Sequence, residues 1–231
     1  MKTFHQFGVY GEAVITLLTV QNTVGVRRVE CIAPDLVEQQ IQAVLEDIPP
    51  GAIKLGALGN AAIIEAVAAA LADSTVPLVI DPVMVSKHGA PLMNTEAIAS
   101  FKRLLIPRAF LITPNLPEAL ALTGEKDMKA AAMALVECGA RAALIKGGHA
   151  VGNRSDDLLL SNGWTEFPRE RIETRHTHGT GCTYSAAITA ELAKGVDLQH
   201  AIAHAKAFVT QAIRTAPGLG HGAGPLNHFA C

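Results

Sequence analysis

Apolar and polar positions switch period along this chain, from β-branched runs to stripes spaced three and four residues apart. Segment 3–10 reads as the tail of a helix closing at Gly8 or Gly11. The uninterrupted run 14–20 predicts a buried strand that ends in the polar Gln21, Asn22 and Thr23. From Pro34 to position 48, Leu36, Val37, Ile41, Val44 and Leu45 share one helical face, and proline suits the first turn. The alternation then continues through strand 53–58, helix 61–73 capped by Asn60, strand 77–80, helix 95–105 and strand 109–112. Helix Leu116–Thr123, helix 129–138 and strand 141–146 follow. Segments 157–160 and 164–167 read as an antiparallel pair around Ser161-Asn162-Gly163. Two long helices close the chain, one starting near Cys182 and one at Leu198 behind Asp197.

Strands alternating with helices over short connections predict right-handed crossovers. The expected fold is therefore α/β, in three layers, with helices on both faces of a mostly parallel sheet and one domain over residues 1–231. Ligands bind such sheets beyond the carboxyl ends of the strands. The polar residues predicted at those ends are Gln21 and Asn22, Asp81, Thr113 and Asn115, Lys146, and the turn 179–182, with Lys54 inside its strand. Singly they are unremarkable. Their shared position is the signal.

Composition narrows this picture. Hydrophobic residues make up 49% and aromatics only 4%, so Ala, Leu, Val and Ile must fill the core, as suits helices packed on a parallel sheet. A net charge of −2 without a basic block argues against nucleic acid or an anionic membrane as partner. The apolar run 61–72 contains Glu65 and falls short of the roughly 20 residues of a membrane span. No signal-peptide core follows Met1, which points to the cytoplasm. Cys31, Cys138, Cys182 and Cys231 are scattered, so neither a disulfide frame nor a zinc ribbon is indicated.

Of the four, only Cys182 has a suggestive address. Gly179, Thr180 and Gly181 stand at the mouth of a helix, where unpaired first-turn N–H groups and the helix dipole favour an anion such as phosphate. Thr180, Cys182 and Thr183 add side-chain donors and a thiol, and the dipole predicts a lowered thiol pKa. His200 and His204, four apart, lie opposite the apolar stripe of their helix and should face water rather than a metal. Trp164 and Phe167 read as core of the small hairpin. His221 and His228 sit in a Gly-rich tail that is expected to fold over the ligand edge of the sheet or to pack at a subunit contact.

Six segments carry a resemblance: 178–183 (His-Gly-Thr-Gly-Cys-Thr), 113–118 (Thr-Pro-Asn-Leu-Pro-Glu), 80–84 (Ile-Asp-Pro-Val-Met), 144–149 (Leu-Ile-Lys-Gly-Gly-His), 20–23 (Val-Gln-Asn-Thr) and 220–227 (Gly-His-Gly-Ala-Gly-Pro-Leu-Asn). In order, and spanning about residues 2–228, they resemble the hydroxymethylpyrimidine/phosphomethylpyrimidine kinases, of the ribokinase-like superfamily. The resemblance implies transfer of the ATP γ-phosphoryl group to a hydroxymethylpyrimidine and its monophosphate in thiamine biosynthesis, with ATP and Mg2+ as cofactors and a homodimer as the assembly. Gly179, Thr180 and Gly181 would form the anion hole, and Cys182 would accept the hydroxymethyl proton. Asn115, Lys146, Thr180 and Thr183 would meet the nucleotide. Glu118 and Asp81 would help to place magnesium. Gln21 and Val83 would contact the ring, with Lys87 and His88 as lid residues. Simpler readings stand beside these: Asn115 as a helix N-cap, Asp81 as a turn former, Lys146 as a surface lysine with a buried stem, Cys182 as a small buried residue.

His176 and Tyr184 depart from the family's usual Asn and small residue. The family also opens with a strand, a Gly-Ser-Asp-rich turn and a Gly-rich helix start that precede the counterpart of Lys2-Thr3-Phe4. The resemblance thus implies a sheet short of an inner strand, exposing apolar surface and unpaired backbone groups, and a pocket short of one wall. A late start, a strand borrowed from a partner, or lost catalysis would each account for this; a late start is favoured. Two other functions remain in view, a pyridoxal-type kinase and a non-catalytic ligand-binding relative.

Overall fold

The computed structural model describes residues 1–86, 89, 91–149 and 152–230. Helix α1 (Lys2–Gln6) ends at Gly8, which takes φ +71°. Strands β1 (Leu17–Gln21) and β2 (Val26–Cys31) follow. Next come α2 (Pro34–Asp47), β3 (Ile53–Leu55), α3 (Ala61–Ala70), β4 (Leu78–Ile80), α4 (Thr95–Leu104) and β5 (Leu111–Ile112). Helices α5 (Leu116–Thr123) and α6 (Met128–Glu137) lead to β6 (Ala143–Ile145), β7 (Asp157–Leu160) and β8 (Trp164–Phe167). Two helices, α7 (Thr180–Ala193) and α8 (Leu198–Arg214), complete the order.

The main sheet runs β3-β4-β5-β6-β7-β8, parallel through β6 and antiparallel at β7 and β8. Its strands alternate faces with period two, as extended backbone must. Leu55, Ile80, Ile112, Ala143 and Ile145 pack with α2, α3, α4, α5 and α6 on one side. Val79, Leu111, Leu144 and Leu159 pack with α7 and α8 on the other. The expected three-layer arrangement is therefore present. Asn60 caps α3 through the Ile63 N–H at 3.0 Å, and Asp197 caps α8 through the His200 N–H at 3.2 Å.

The segment 14–20 is not a buried strand of this sheet. Its strand, β1, pairs antiparallel with β2 in a separate two-stranded ribbon, and Leu18 and Val20 are exposed. The cause is local: Asn22 Oδ1 accepts the N–H groups of Val24 and Gly25, and this turn sends the chain back along itself. Leu36 also departs from expectation. It is exposed on α2, whose buried positions are Val37 and Ile41.

On its outer side β3 has no strand partner among the described residues. Ile53 N–H bonds to Pro77 and Leu55 C=O accepts from Asp81, so the Lys54 amide and carbonyl point away from β4. A cavity of about 500 Å³ lies along this edge. It is lined on one side by Ile41 and Val67 from the α2–α3 layer, on the other by Thr189 and Ala193 of α7, with Phe4 and Tyr10 over the mouth.

Candidate active site

Three strand ends and one helix start meet at the carboxyl edge of the sheet. Asp81 follows β4 and is buried; Lys146 follows β6, and its Nζ sits 2.7 Å from Asp81 Oδ1. Thr113, after β5, donates its hydroxyl to Asp81 Oδ1 at 3.4 Å. Ser185 donates to Asp81 Oδ2 at 3.3 Å from the second turn of α7. Gly181 brings that helix in close, because a Cβ there would lie 3.2 Å from Lys146 Nζ. Gly179, with φ +80°, makes the turn that aims the α7 start at the pair. Thr180 bonds back to the Thr177 carbonyl at 2.8 Å, and the Gly181 and Cys182 N–H groups belong to the first turn, which lacks intrahelical acceptors. Thr183, expected at the nucleotide, is buried.

Asn115 and Glu118 close a reciprocal capping box at the start of α5. Glu118 N–H donates to Asn115 Oδ1 at 2.9 Å, and Asn115 N–H to Glu118 Oε2 at 2.8 Å. Both the N-cap reading and the site reading of Asn115 are compatible with this placement. A parallel bridge sets Asn115 beside Lys146.

The charges are coupled. Burial lifts the Glu118 carboxyl to about 7, with Asp81 adding to the rise and Lys146 opposing it. Burial pushes Asp81 upward too, but Lys146, Lys54 and its hydrogen bonds overcome this and hold it below the ordinary carboxylate value. Lys146 is raised: desolvation opposes its charge, and Asp81 and Glu118 more than restore it.

Cys182 runs against the dipole expectation. The residue keeps exposed surface, yet protein crowds its thiol, and that desolvation raises its pKa despite Lys54 and Lys146; Asp81 and Glu118 reinforce the rise. Partial charges at a helix end do not outweigh lost hydration together with two carboxylates.

Gln21 stands at the end of β1 and Val83 two residues past Asp81; both are partly buried. No described contact joins Gln21 to the cluster, and neither residue lines the β3 cavity. Lys87 and His88 lie outside the described residues. Ser185 carries no motif of its own in the sequence, although its place three residues after Cys182 puts it on the same side of a helix. Lys54 was noted only as a strand residue; it acts on Asp81 and Cys182 and lines the cavity. His200 and His204 do face solvent, paired with Asp197 and Glu191. Trp164 is exposed, with Lys129 Nζ 5.8 Å from its ring centroid, so only Phe167 packs inward. The Gly-rich tail folds over the β1–β2 turn, where the His221 N–H donates to Thr23 Oγ1 at 3.1 Å.

Known proteins are similar to this chain in sequence and fold. The family model described as Phosphomethylpyrimidine kinase matches residues 1–227. The chain is 46% identical over 241 residues to a hydroxymethylpyrimidine/phosphomethylpyrimidine kinase of Haemophilus influenzae, covering 100% of this chain and 90% of that one. Its fold is similar to a phosphomethylpyrimidine kinase from Clostridium difficile, with TM-score 0.81 and 39% identity over 92% of this chain and 90% of that one. It is also similar to the Staphylococcus aureus pyridoxal kinase in complex with AMP-PCP and pyridoxal, with TM-score 0.90 and 33% identity over 99% and 86%. With nearly its whole length matched in sequence, the chain belongs to the phosphomethylpyrimidine kinase family.

Proposed function

We propose that this protein transfers the γ-phosphoryl group of ATP to a hydroxymethylpyrimidine and then to its monophosphate, supplying the pyrophosphate for thiamine biosynthesis. The observation that carries this reading is the juxtaposition at Gly181: an anion-binding helix start, a largely buried Lys146–Asp81 pair and the Cys182 thiol at one point. Phosphoryl transfer needs positioning and charge neutralisation more than covalent chemistry. The Gly181 and Cys182 amides, with Thr180 beside them, hold the moving phosphoryl group. Lys146 and Asn115 bind the nucleotide phosphates. The substrate's hydroxymethyl oxygen forms the new O–P bond as the bond from the γ-phosphorus to ADP breaks, and its proton passes to the Cys182 thiolate. Gln21 and Val83 contact the ring.

Magnesium fits this donor set. Glu118 uses Oε2 in the capping box, which leaves Oε1 to the site, and Asp81 lies close enough to raise the Glu118 pKa. Such an ion is held by one or two carboxylates, water and the substrate's own phosphates. When bound, it supplies neutralisation of phosphate charge.

The likeness to a pyridoxal kinase at TM-score 0.90 keeps a second substrate ring in view. Incubating the purified chain with ATP, Mg2+ and either 4-amino-5-hydroxymethyl-2-methylpyrimidine or pyridoxal separates the two. ADP release with the pyrimidine, followed by a diphosphate product, is the expected outcome. Turnover with pyridoxal alone would overturn the pyrimidine assignment, and no turnover with either would overturn the kinase reading.

A further inference from the structure

We propose that Asp157 and Lys206 are positioning residues that fix Lys146 through the backbone of Gly147; this rests on the reading of Lys146 as a phosphate-binding cation. Asp157 opens β7 and is buried. Its Oδ1 accepts the Gly147 N–H at 3.0 Å, and its Oδ2 takes the Lys206 Nζ at 2.6 Å. Lys206 reaches in from the middle of α8, also donates to the Ser155 carbonyl at 2.7 Å, and has its Nζ 5.8 Å from the Tyr184 ring centroid.

A buried ion pair is a poor device for stability alone, since desolvation of both charges offsets their attraction and an apolar pair of similar volume often serves as well. An apolar pair cannot accept the hydrogen bond from Gly147. That amide directly follows Lys146, whose own N–H is held by the Pro114 carbonyl at 2.8 Å on the β5 side. Two successive amides are thus tied to opposite flanks, one toward β5 and one to β7. The chain direction at the end of β6 is set from both sides, and with it the root of the side chain that meets Asp81. Position 147 tolerates no bulk either, because a Cβ there would collide with the Asp156 backbone.

Two double variants isolate the hydrogen bond with both charges removed. Asp157→Leu/Lys206→Met leaves Gly147 without an acceptor, whereas Asp157→Asn/Lys206→Met keeps one. The leucine variant should bind AMP-PCP about tenfold more weakly than the asparagine variant, the worth of roughly one buried hydrogen bond. Its Gly147 amide should exchange with solvent correspondingly faster, while KM for the pyrimidine stays the same in both. Equal AMP-PCP affinity in the two folded variants overturns the proposal. Should either fail to fold, the parent chain decides: a Gly147 amide exchanging much more slowly than that of Gly148 supports the proposal, and equal rates overturn it. A parent that binds AMP-PCP without phosphorylating the pyrimidine overturns the proposed reaction and leaves this binding comparison standing.

Discussion

Two lysine–aspartate pairs lie under the helices of this fold, and they differ in what surrounds them. Lys146–Asp81 at 2.7 Å and Lys206–Asp157 at 2.6 Å have nearly the same geometry and little exposure. Around the first stand Glu118, Cys182 and Lys54, all ionisable and acting on one another. Around the second stand a backbone carbonyl, a backbone amide and the Tyr184 ring. Burial by Tyr184's neighbours, with Asp157 adding to it, pushes that tyrosine's phenol well above its usual value, so it too stays neutral. The same ion pair therefore stands among shared charges at one place and among backbone groups and a ring at the other.

The largest break in this contrast comes from Cys182→Ala, which leaves both ion pairs in place. It should lower kcat by roughly 10²–10⁴ while AMP-PCP affinity and unfolding free energy hold. With Cys182 as the proposed base, the raised thiol should make kcat/KM climb with pH above neutrality in the parent, and a pH profile of the alanine variant should lose that climb. An unchanged kcat removes Cys182 from the mechanism.

Lys146→Met should come next, because it strips the cation from a buried carboxylate. About 3–5 kcal/mol of stability should go with it, read by urea titration, together with ATP-dependent turnover. If the contrast holds, Lys206→Met loses comparable stability yet keeps the alkaline climb in kcat/KM that reports Cys182.

Glu118 sharpens the comparison through pH. Its folded pKa near 7 lies above the unfolded value of 4.5, so the fold binds the proton more tightly. That contribution is fully present below pH 4.5 and is lost as pH rises through 7, as much as about 3 kcal/mol. Glu118→Gln retains an acceptor for Asn115 and should remove the drop, seen as unfolding free energies at pH 5 and 8. For kcat/KM the sign is opposite: on the proposed role of Glu118 in placing magnesium the carboxylate is the active form, and activity should fall as pH drops below about 7. The smallest effect belongs to a cap remote from both pairs. Asn60→Ala should cost about 1 kcal/mol and leave kcat alone, by thermal melt and assay.

Period and β-branching revealed the strands and helices but not the partners of every strand. The run 14–20 shows its extended conformation plainly; that it pairs with β2 in a ribbon depends on the turn at Asn22, which reads from sequence only as a polar end. The site was legible where position does the work. Asp81, Thr113, Asn115 and Lys146 converge because each ends a parallel strand of one sheet. Cys182 shows the limit, since its helix dipole is written in the motif while the crowding and the carboxylates that outweigh it arrive from elsewhere in the chain. Lys206 and Asp157 are 49 residues apart. Their one sequence trace is a lysine next to the apolar stripe of Ile202, Ala205 and Val209.

The outward-pointing amide and carbonyl of Lys54 on β3 have a practical meaning for handling the protein. An unpaired parallel edge is a template on which another chain can add a strand, and covering such edges is how folded proteins avoid clumping. Beside this edge, Phe4 of the five-residue α1 and Tyr10 of the loop after it line the cavity. An edge of this kind makes those residues, more than the packed interior, the place to look when a concentrated sample loses monodispersity.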